Sequence, residues 1–351
     1  MHELPLTVSV GILARNEEAG IAQLIGDLGE QSLLTDGRVS VHVHVVANGC
    51  TDRTADAARR AFAAPPFVNL EAGSSVHELE RAGKSNAWNT FVHEIVPESS
   101  DYVLFLDGDI RIPDRNSLKR VIERLTASPE AVVAVDRSVK DIELENPEGI
   151  VEKLIKLATG TANDTRTAIA GACYCARFSE VRRIWMPIGL PGEDGFLRAM
   201  LLTSNFEHDE RLERLVFVED AYHVFESMRE LGGVIRHNVR LAIGTTVNIL
   251  LFWHFMELRR DENLDIAEYV RARNVSDPDW VNNLMRERLT TSYFPLELRF
   301  LLRRLQGVGS RPARQRSAKT WAVALLGTGF DLVVFLKATI LMRKGAGAGY
   351  W

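Results

Sequence analysis

The stretch Asp101-Tyr-Val-Leu-Phe-Leu-Asp107-Gly108-Asp109 carries the most information in this chain. An apolar run of strand length, Tyr102–Leu106, stops abruptly in two carboxylates separated by a glycine. In an open α/β sheet, ligands bind beyond the carboxyl ends of the strands. Two acids at such an edge, with a small residue that lets the backbone turn, make a seat for a divalent cation. Hard oxygen ligands of this kind favour Mg2+ or Mn2+, commonly shared with phosphate oxygens. Asp and Gly are also ordinary turn residues, so the triplet by itself reads equally well as a solvated turn. The rest of the chain has to decide between the two.

Outward from this run, the first half alternates strand and helix patterns. Leu6–Leu13 is a short apolar run followed by turn and cap chemistry, and Val39–Ala47 alternates with a period of two. Thr51–Phe62 is a helical pattern opened by polar capping residues. Lys84–Ile95 and Asn116–Leu125 also read as helices, and Ala131–Val135 as a further strand. Strands spaced by helices predict a mostly parallel α/β sheet with helices on both faces. Shorter strands are expected at Ala168–Cys175 and Leu215–Val218, and beyond Gly233 the pattern is helical, with Val234–Leu258 the longest stretch.

With 351 residues the chain can bury a large core, and length alone suggests more than one structural unit. A net charge of -5 argues against general affinity for nucleic acid. Three cysteines (Cys50, Cys173 and Cys175) fit a reducing compartment better than a disulfide framework. Cys173 and Cys175 are spaced poorly for zinc and read as packing. The strand pattern starts at Leu6, leaving no room for a secretory signal. A protein on the cytoplasmic side is therefore expected.

Several short motifs occur in a particular order. The first strand runs into Leu13-Ala14-Arg15-Asn16-Glu17-Glu18, and the second into Ala47-Asn48-Gly49-Cys50-Thr51-Asp52-Arg53-Thr54. Arg81-Ala82-Gly83-Lys84-Ser85-Asn86-Ala87-Trp88-Asn89 follows, then the Asp107-Gly108-Asp109 edge, and finally Gly192-Glu193-Asp194-Gly195-Phe196-Leu197 at a helix start. This succession resembles glycosyltransferase family 2, whose members share the GT-A fold, a Rossmann-like arrangement of nucleotide-diphospho-sugar transferases. The resemblance runs from about Leu6 to about Gly244.

The resemblance implies roles for individual residues. Ala14, Arg15 and Glu17 belong to the loop that touches the nucleotide base, and Asn48 ends the strand that recognises it. Many relatives have Asp at the position of Asn48; an amide both donates and accepts, which leaves the base open between UDP and GDP. Lys84 would approach the nucleotide or its phosphates, and a helix start suits an anion. A solvated surface lysine is the competing reading. Asp107 and Asp109, around Gly108, would hold Mn2+ or Mg2+ and the donor, and His223 matches a strand-end histidine that ligates metal in some relatives. A buried or capping histidine is the alternative there. Asp194 would be the general base, with Glu193 shaping the site; otherwise both acids simply favour a helix N-terminus. Arg240, in Arg236-His237-Asn238-Val239-Arg240-Leu241, falls where processive relatives carry Gln-x-x-Arg-Trp. The missing Gln and Trp argue for a non-processive enzyme. Asp52 and Thr54 read as structural capping residues, and Asn89 as packing and loop support.

The expected enzyme thus takes a sugar from a nucleoside diphosphate sugar to an acceptor hydroxyl, with inversion. The acceptor would be a glycan, a lipid-linked sugar or a small molecule, in cell-surface glycan or glycolipid synthesis. A retaining enzyme of the same fold and a non-catalytic nucleotide-sugar-binding or scaffolding protein are the rivals. Domains are expected at 1–232 (a donor half to about 136, then an acceptor half), 233–306 as a helical extension, and 307–351 as a basic linker and C-terminal helix. That linker holds Arg311, Arg314 and Arg316, and the apolar segment Trp321–Met342 after it is interrupted by Asp331 and Lys337. Each mid-segment charge costs on the order of 2.5–3.5 kcal/mol on insertion scales. An amphipathic helix packed on the protein, or lying on the cytoplasmic face of a membrane, is expected rather than a span, with a plain C-terminal core helix as the other reading.

Overall fold

The computed structural model describes residues 5–141, 165–169, 171–228, 230–262, 264–289, 296, 299–310, 312 and 316–343. Arg311 and Arg314 of the basic linker, and 344–351, lie outside the described residues.

Eight strands form one sheet in the order β3-β2-β1-β4-β7-β6-β8-β5. β1 (Leu6–Ala14), β2 (Val39–Asn48), β3 (Gly73–Leu79) and β4 (Tyr102–Asp107) are mutually parallel. β7 (Cys173–Arg177) then runs antiparallel to both β4 and β6 (Val133–Lys140). β8 (Leu215–Phe225) is parallel to β6, with an irregularity at Asp136/Arg137, and the two-residue β5 (Ile110–Arg111) pairs antiparallel with β8. β1 lies between β2 and β4, so the chain leaves it first to one side and then to the other. That is a topological switch point, where strand-end loops part and leave a crevice.

Alternation along the strands divides the core into two faces. On one, Val10, Ile12, Val43, Val45, Leu104 and Leu106 pack against α1 (Ile21–Gly29), α2 (Thr54–Phe62) and α4 (Ser117–Thr126). On the other, Leu13, Val46, Phe105 and Tyr174 pack against α3 (Lys84–Thr90), through Trp88, and against Phe91 in the π turn that extends it. α5 (Phe178–Val181) and α6 (Glu193–Leu202) also lie on this second face. Beyond the sheet come α7 (Leu231–Glu262), α8 (Ile266–Ser276), α9 (Trp280–Leu289), α10 (Arg299–Gly309) and α11 (Ala318–Arg343). Val247 and Phe255 of α7, Val270 of α8, Trp280 of α9 and Phe335 of α11 join the same core cluster as Phe105. The helical extension is thus built onto one face of the sheet.

The strand and helix expectations hold for the first half, and three features differ. β3, β5 and α1 were not foreseen. β7 starts at Cys173, five residues later than expected, because Gly171 just before it takes a left-handed φ of 65°. β8 extends seven residues past the expected end, to Phe225.

α11 also departs from the amphipathic expectation. Its buried side holds Ala324, Asp331, Val334, Phe335, Ala338 and Met342, but its outer side is apolar too. Asp331 is fully buried and clamped by two guanidinium groups of α10. Arg303 donates to it at 3.0 and 3.1 Å, and Arg304 at 2.8 and 3.2 Å.

Candidate active site

The loops after β1 and β2 are stitched together at the switch point. Thr54 Oγ1 accepts from the Glu17 amide at 2.8 Å, and Asp52 accepts from the Glu18 amide at 3.1 Å and the Thr54 amide at 3.0 Å. Asn16 accepts from the Thr51 amide at 2.8 Å, and Arg53 pairs with Glu18 at 2.9 Å. Asp52 and Thr54 are thus structural, but they brace the two loops, and the α2 N-cap, Arg53, has no side-chain cap. Ala14 is buried at the end of β1, and Arg15 is exposed just beyond it. Asn48 is buried, and its Oδ1 accepts from the Gly83 amide at 2.9 Å. Its carbonyl end is thus committed to the turn that starts α3.

Gly108 lets the β4 edge close onto this loop. A Cβ there would lie 2.9 Å from Ala14 Cβ and 3.1 Å from Glu17 Cγ. Glu17 is half-buried, and burial together with Asp109, Asp52, Asp107 and Glu226 pushes its carboxyl up to about 7. Crowded carboxylates repel in this way. Asp109 is exposed at the rim of the edge. Glu226, directly after β8, was not foreseen; an acid following a strand end was the available signal.

Lys84 is the hub of the second group. Its Nζ lies 2.8 and 2.9 Å from the two oxygens of Asp107 and 3.3 Å from Glu193 Oε1. Burial pulls the ammonium down, but Asp107, Glu193 and Asp194 outweigh it and hold the pKa well above the ordinary lysine value. The solvated-lysine reading does not apply. Burial in turn raises Asp107 despite Lys84. The hub rests on Trp88, whose indole donates to the Tyr174 hydroxyl at 2.9 Å and stacks on Phe105 one turn of sheet below Asp107.

Glu193 and Asp194 occupy the first turn of α6. Asn89 holds the loop leading to them, exchanging two 2.9 Å hydrogen bonds with the Met186 backbone. Asn248 of α7 donates to the Gly192 carbonyl at 2.7 Å. Gly171 lies so close to the Asp194 carboxylate that a Cβ there would collide with it. Burial and Glu193 push Asp194 up to about 8, against Lys84 and Arg240, which favour its charged form. The approach of Gly171 to Asp194 joins residues distant along the chain, so no local pattern reveals it.

His223 is placed differently from the expectation. It lies on the other face of the sheet, flanked along β8 by Ala221 and Phe225. It is fully buried, with Nδ1 2.8 and 2.9 Å from the two oxygens of Asp136. Cys173 is the third member of this group, whose donor atoms lie within 4.8 Å of one another. Cys173 and Cys175 are both buried, as packing residues would be.

The arrangement brings together a carboxylate edge able to hold a cation and a pair of carboxylates at a helix start, joined by one lysine. No curated protein matches this sequence. Among solved structures, the mannosyltransferase PcManGT from Pyrobaculum calidifontis, in complex with GDP-Man and Mn2+, is similar at 16% identity and TM-score 0.51, over 96% of this chain and 88% of that one. Glucosyl-3-phosphoglycerate synthase from Mycobacterium tuberculosis, in complex with Mn2+, UDP-Glc and phosphoglyceric acid, is 19% identical over 70% of this chain and 79% of that one, with TM-score 0.48. TarS from S. aureus, in complex with UDP, is 16% identical over 97% and 92%, with TM-score 0.46. The likeness to the mannosyltransferase is one of fold and agrees with the GT-A architecture read from the strand order. The family profile described as glycosyl transferase family 2 matches residues 9–182, from β1 through α5, and the chain belongs to that family.

Proposed function

We propose that this glycosyltransferase moves one sugar per encounter, with inversion, from a UDP- or GDP-sugar to an acceptor hydroxyl. The observation that carries the reading is the Lys84 bridge between Asp107, at the end of β4, and Glu193, at the start of α6. In this reading Asp194 is the general base. It takes the proton of the acceptor hydroxyl as the oxygen attacks the sugar carbon from the side opposite the leaving diphosphate. A carboxyl pushed up to about 8 is well matched to that task near neutral pH. Lys84 and Arg240 keep positive charge beside it, and Glu193 shapes the site.

The donor set at the β4 edge, Asp107 and Asp109 with Glu17 beside them, consists of carboxylate oxygens, and burial followed by the neighbouring carboxylates raises Glu17. Mg2+ or Mn2+ suits such ligands. When bound, the ion supplies charge that offsets the growing negative charge of the departing diphosphate. GDP-Man and Mn2+ in the similar mannosyltransferase belong to the same classes of donor and ion. Ala14, Arg15 and Asn48 are assigned to the nucleotide end of the crevice. The acceptor is a glycan, a lipid-linked sugar or a small molecule. The work is done in the cytoplasm, with peripheral membrane contact through α11, in the making of cell-surface glycan or glycolipid.

Calorimetry with UDP, GDP and CMP, with and without Mn2+, tests the donor site on wild type and Asp109→Ala. Metal-dependent binding of one diphosphate, lost in the variant, is expected. A folded protein that binds none of them would end the donor-site reading.

A further inference from the structure

The outer side of α11 is the least ordinary surface of the molecule. Ala322, Val323, Leu325, Leu326, Gly329, Leu332, Val333 and Leu336 are all exposed, and exposed Lys337 follows them on the same side. Leu326 is 78% exposed and Leu325 60%, far from the environment such side chains prefer. At 3.6 residues per turn these positions share one side of the helix, opposite Asp331 and the packed residues. α7, which packs against α11, adds exposed Ile249, Trp253 and Met256.

The charge on α11 is one-sided. The helix carries Lys319, Lys337 and Arg343 and one acid, Asp331, in a chain whose net charge is -5. That acid is spent internally on Arg303 and Arg304. Lys319, Lys337 and Arg343 are exposed on or beside the apolar side, with Trp321 at its start. A second copy of the chain would bring these cations against one another. An anionic lipid surface would answer them while its acyl region accepts the leucines.

We propose that the outer sides of α11 and α7 seat on one leaflet of an anionic bilayer and that the acceptor is lipid-linked. The second half rests on the glycosyl-transfer reading above. α7 connects the two halves. Gly244 packs its backbone on Pro191 and Gly192, and Asn248 holds the Gly192 carbonyl immediately before Glu193 and Asp194. The helix that shows Ile249, Trp253 and Met256 outward is therefore the one that braces the candidate base. A hydroxyl tethered to that leaflet starts its approach beside Asp194.

The full chain is sedimented with phosphatidylcholine vesicles and with vesicles containing phosphatidylglycerol, at low and high salt, beside the double variant Leu326→Glu, Leu336→Glu. UDP and GDP calorimetry with Mn2+ is run on the same samples. Binding to the anionic vesicles, weakened by salt and reduced roughly tenfold or more in the variant, is the expected result. A variant that keeps its circular dichroism spectrum and nucleotide binding shows that the loss is one of the surface. Failure to sediment with anionic vesicles, equal sedimentation of the variant, or a dimer dissolved by the same two substitutions would each overturn the proposal. Vesicle binding without nucleotide binding would instead remove the donor site and leave the surface standing.

Discussion

A carboxylate that acts as a base must be unprotonated at the working pH. Asp194 is held up to about 8 by burial and by Glu193, with Lys84 and Arg240 pulling the other way. Protons leave as pH rises, so kcat/KM should climb about tenfold per pH unit below that value and level off above it. Lys84→Met removes a cation that favours the charged form, and its limb should move to higher pH. Asp194→Asn should lower kcat by about 10²–10⁴-fold while UDP or GDP binding is kept. A pH profile and calorimetry on the three proteins check this. An Asp194→Asn enzyme turning over at the wild-type rate would take Asp194 out of the mechanism.

Among the elements, the β2–β3 edge makes its own pH prediction. His42 and His44 stack at 4.3 Å between ring centres, and Ser75 on β3 bridges His44 Nδ1 and His77 Nε2 at 2.9 Å each. Burial, then His42 and His77, pulls buried His44 down to about 3. The unfolded chain takes up a proton near pH 6.5 that the folded one refuses, so this stability is present above 6.5 and is lost as pH falls toward 3. The slope is about 1.4 kcal/mol per pH unit in that window. Urea midpoints at pH 7 and pH 5 should separate for wild type and draw together in His44→Leu. The same edge shows why some elements could be read from sequence and others could not. β4 is apolar along its length and ends in acids, a signal that is entirely local. β3, Gly-Ser-Ser-Val-His-Glu-Leu, pairs only with β2 at the sheet edge and has no apolar alternation to reveal it. The start of β7 depends on the φ of Gly171, and His223 found its partner in Asp136 on the neighbouring strand. Motif order found the residues around the Lys84 hub, but only the fold showed that Lys84 reaches both carboxylate groups.

In the whole molecule, the C-terminal helices are where pattern reading misjudged the balance most. Asp331 reads in the sequence as a charge that spoils an apolar segment. Its partners Arg303 and Arg304 lie on another helix, and their pairing turns the charge into a fastening between α10 and α11. Asp331→Leu should destabilise the fold by about 1–3 kcal/mol, below the value for a fully buried pair because Arg303 is 48% exposed and Arg304 25%. The urea midpoint at neutral pH reads this, and a value unchanged from wild type would mean the fastening is idle. The clamp also governs how the helix can travel. Two guanidinium groups and a carboxylate held together would have to enter hydrocarbon as one unit, so the clamp weighs against α11 crossing a bilayer. On the seating proposed above, it would meet lipid from the aqueous phase as part of a finished body. Residence there would be a reversible adsorption, leaving the enzyme free to pass from one patch of membrane to the next.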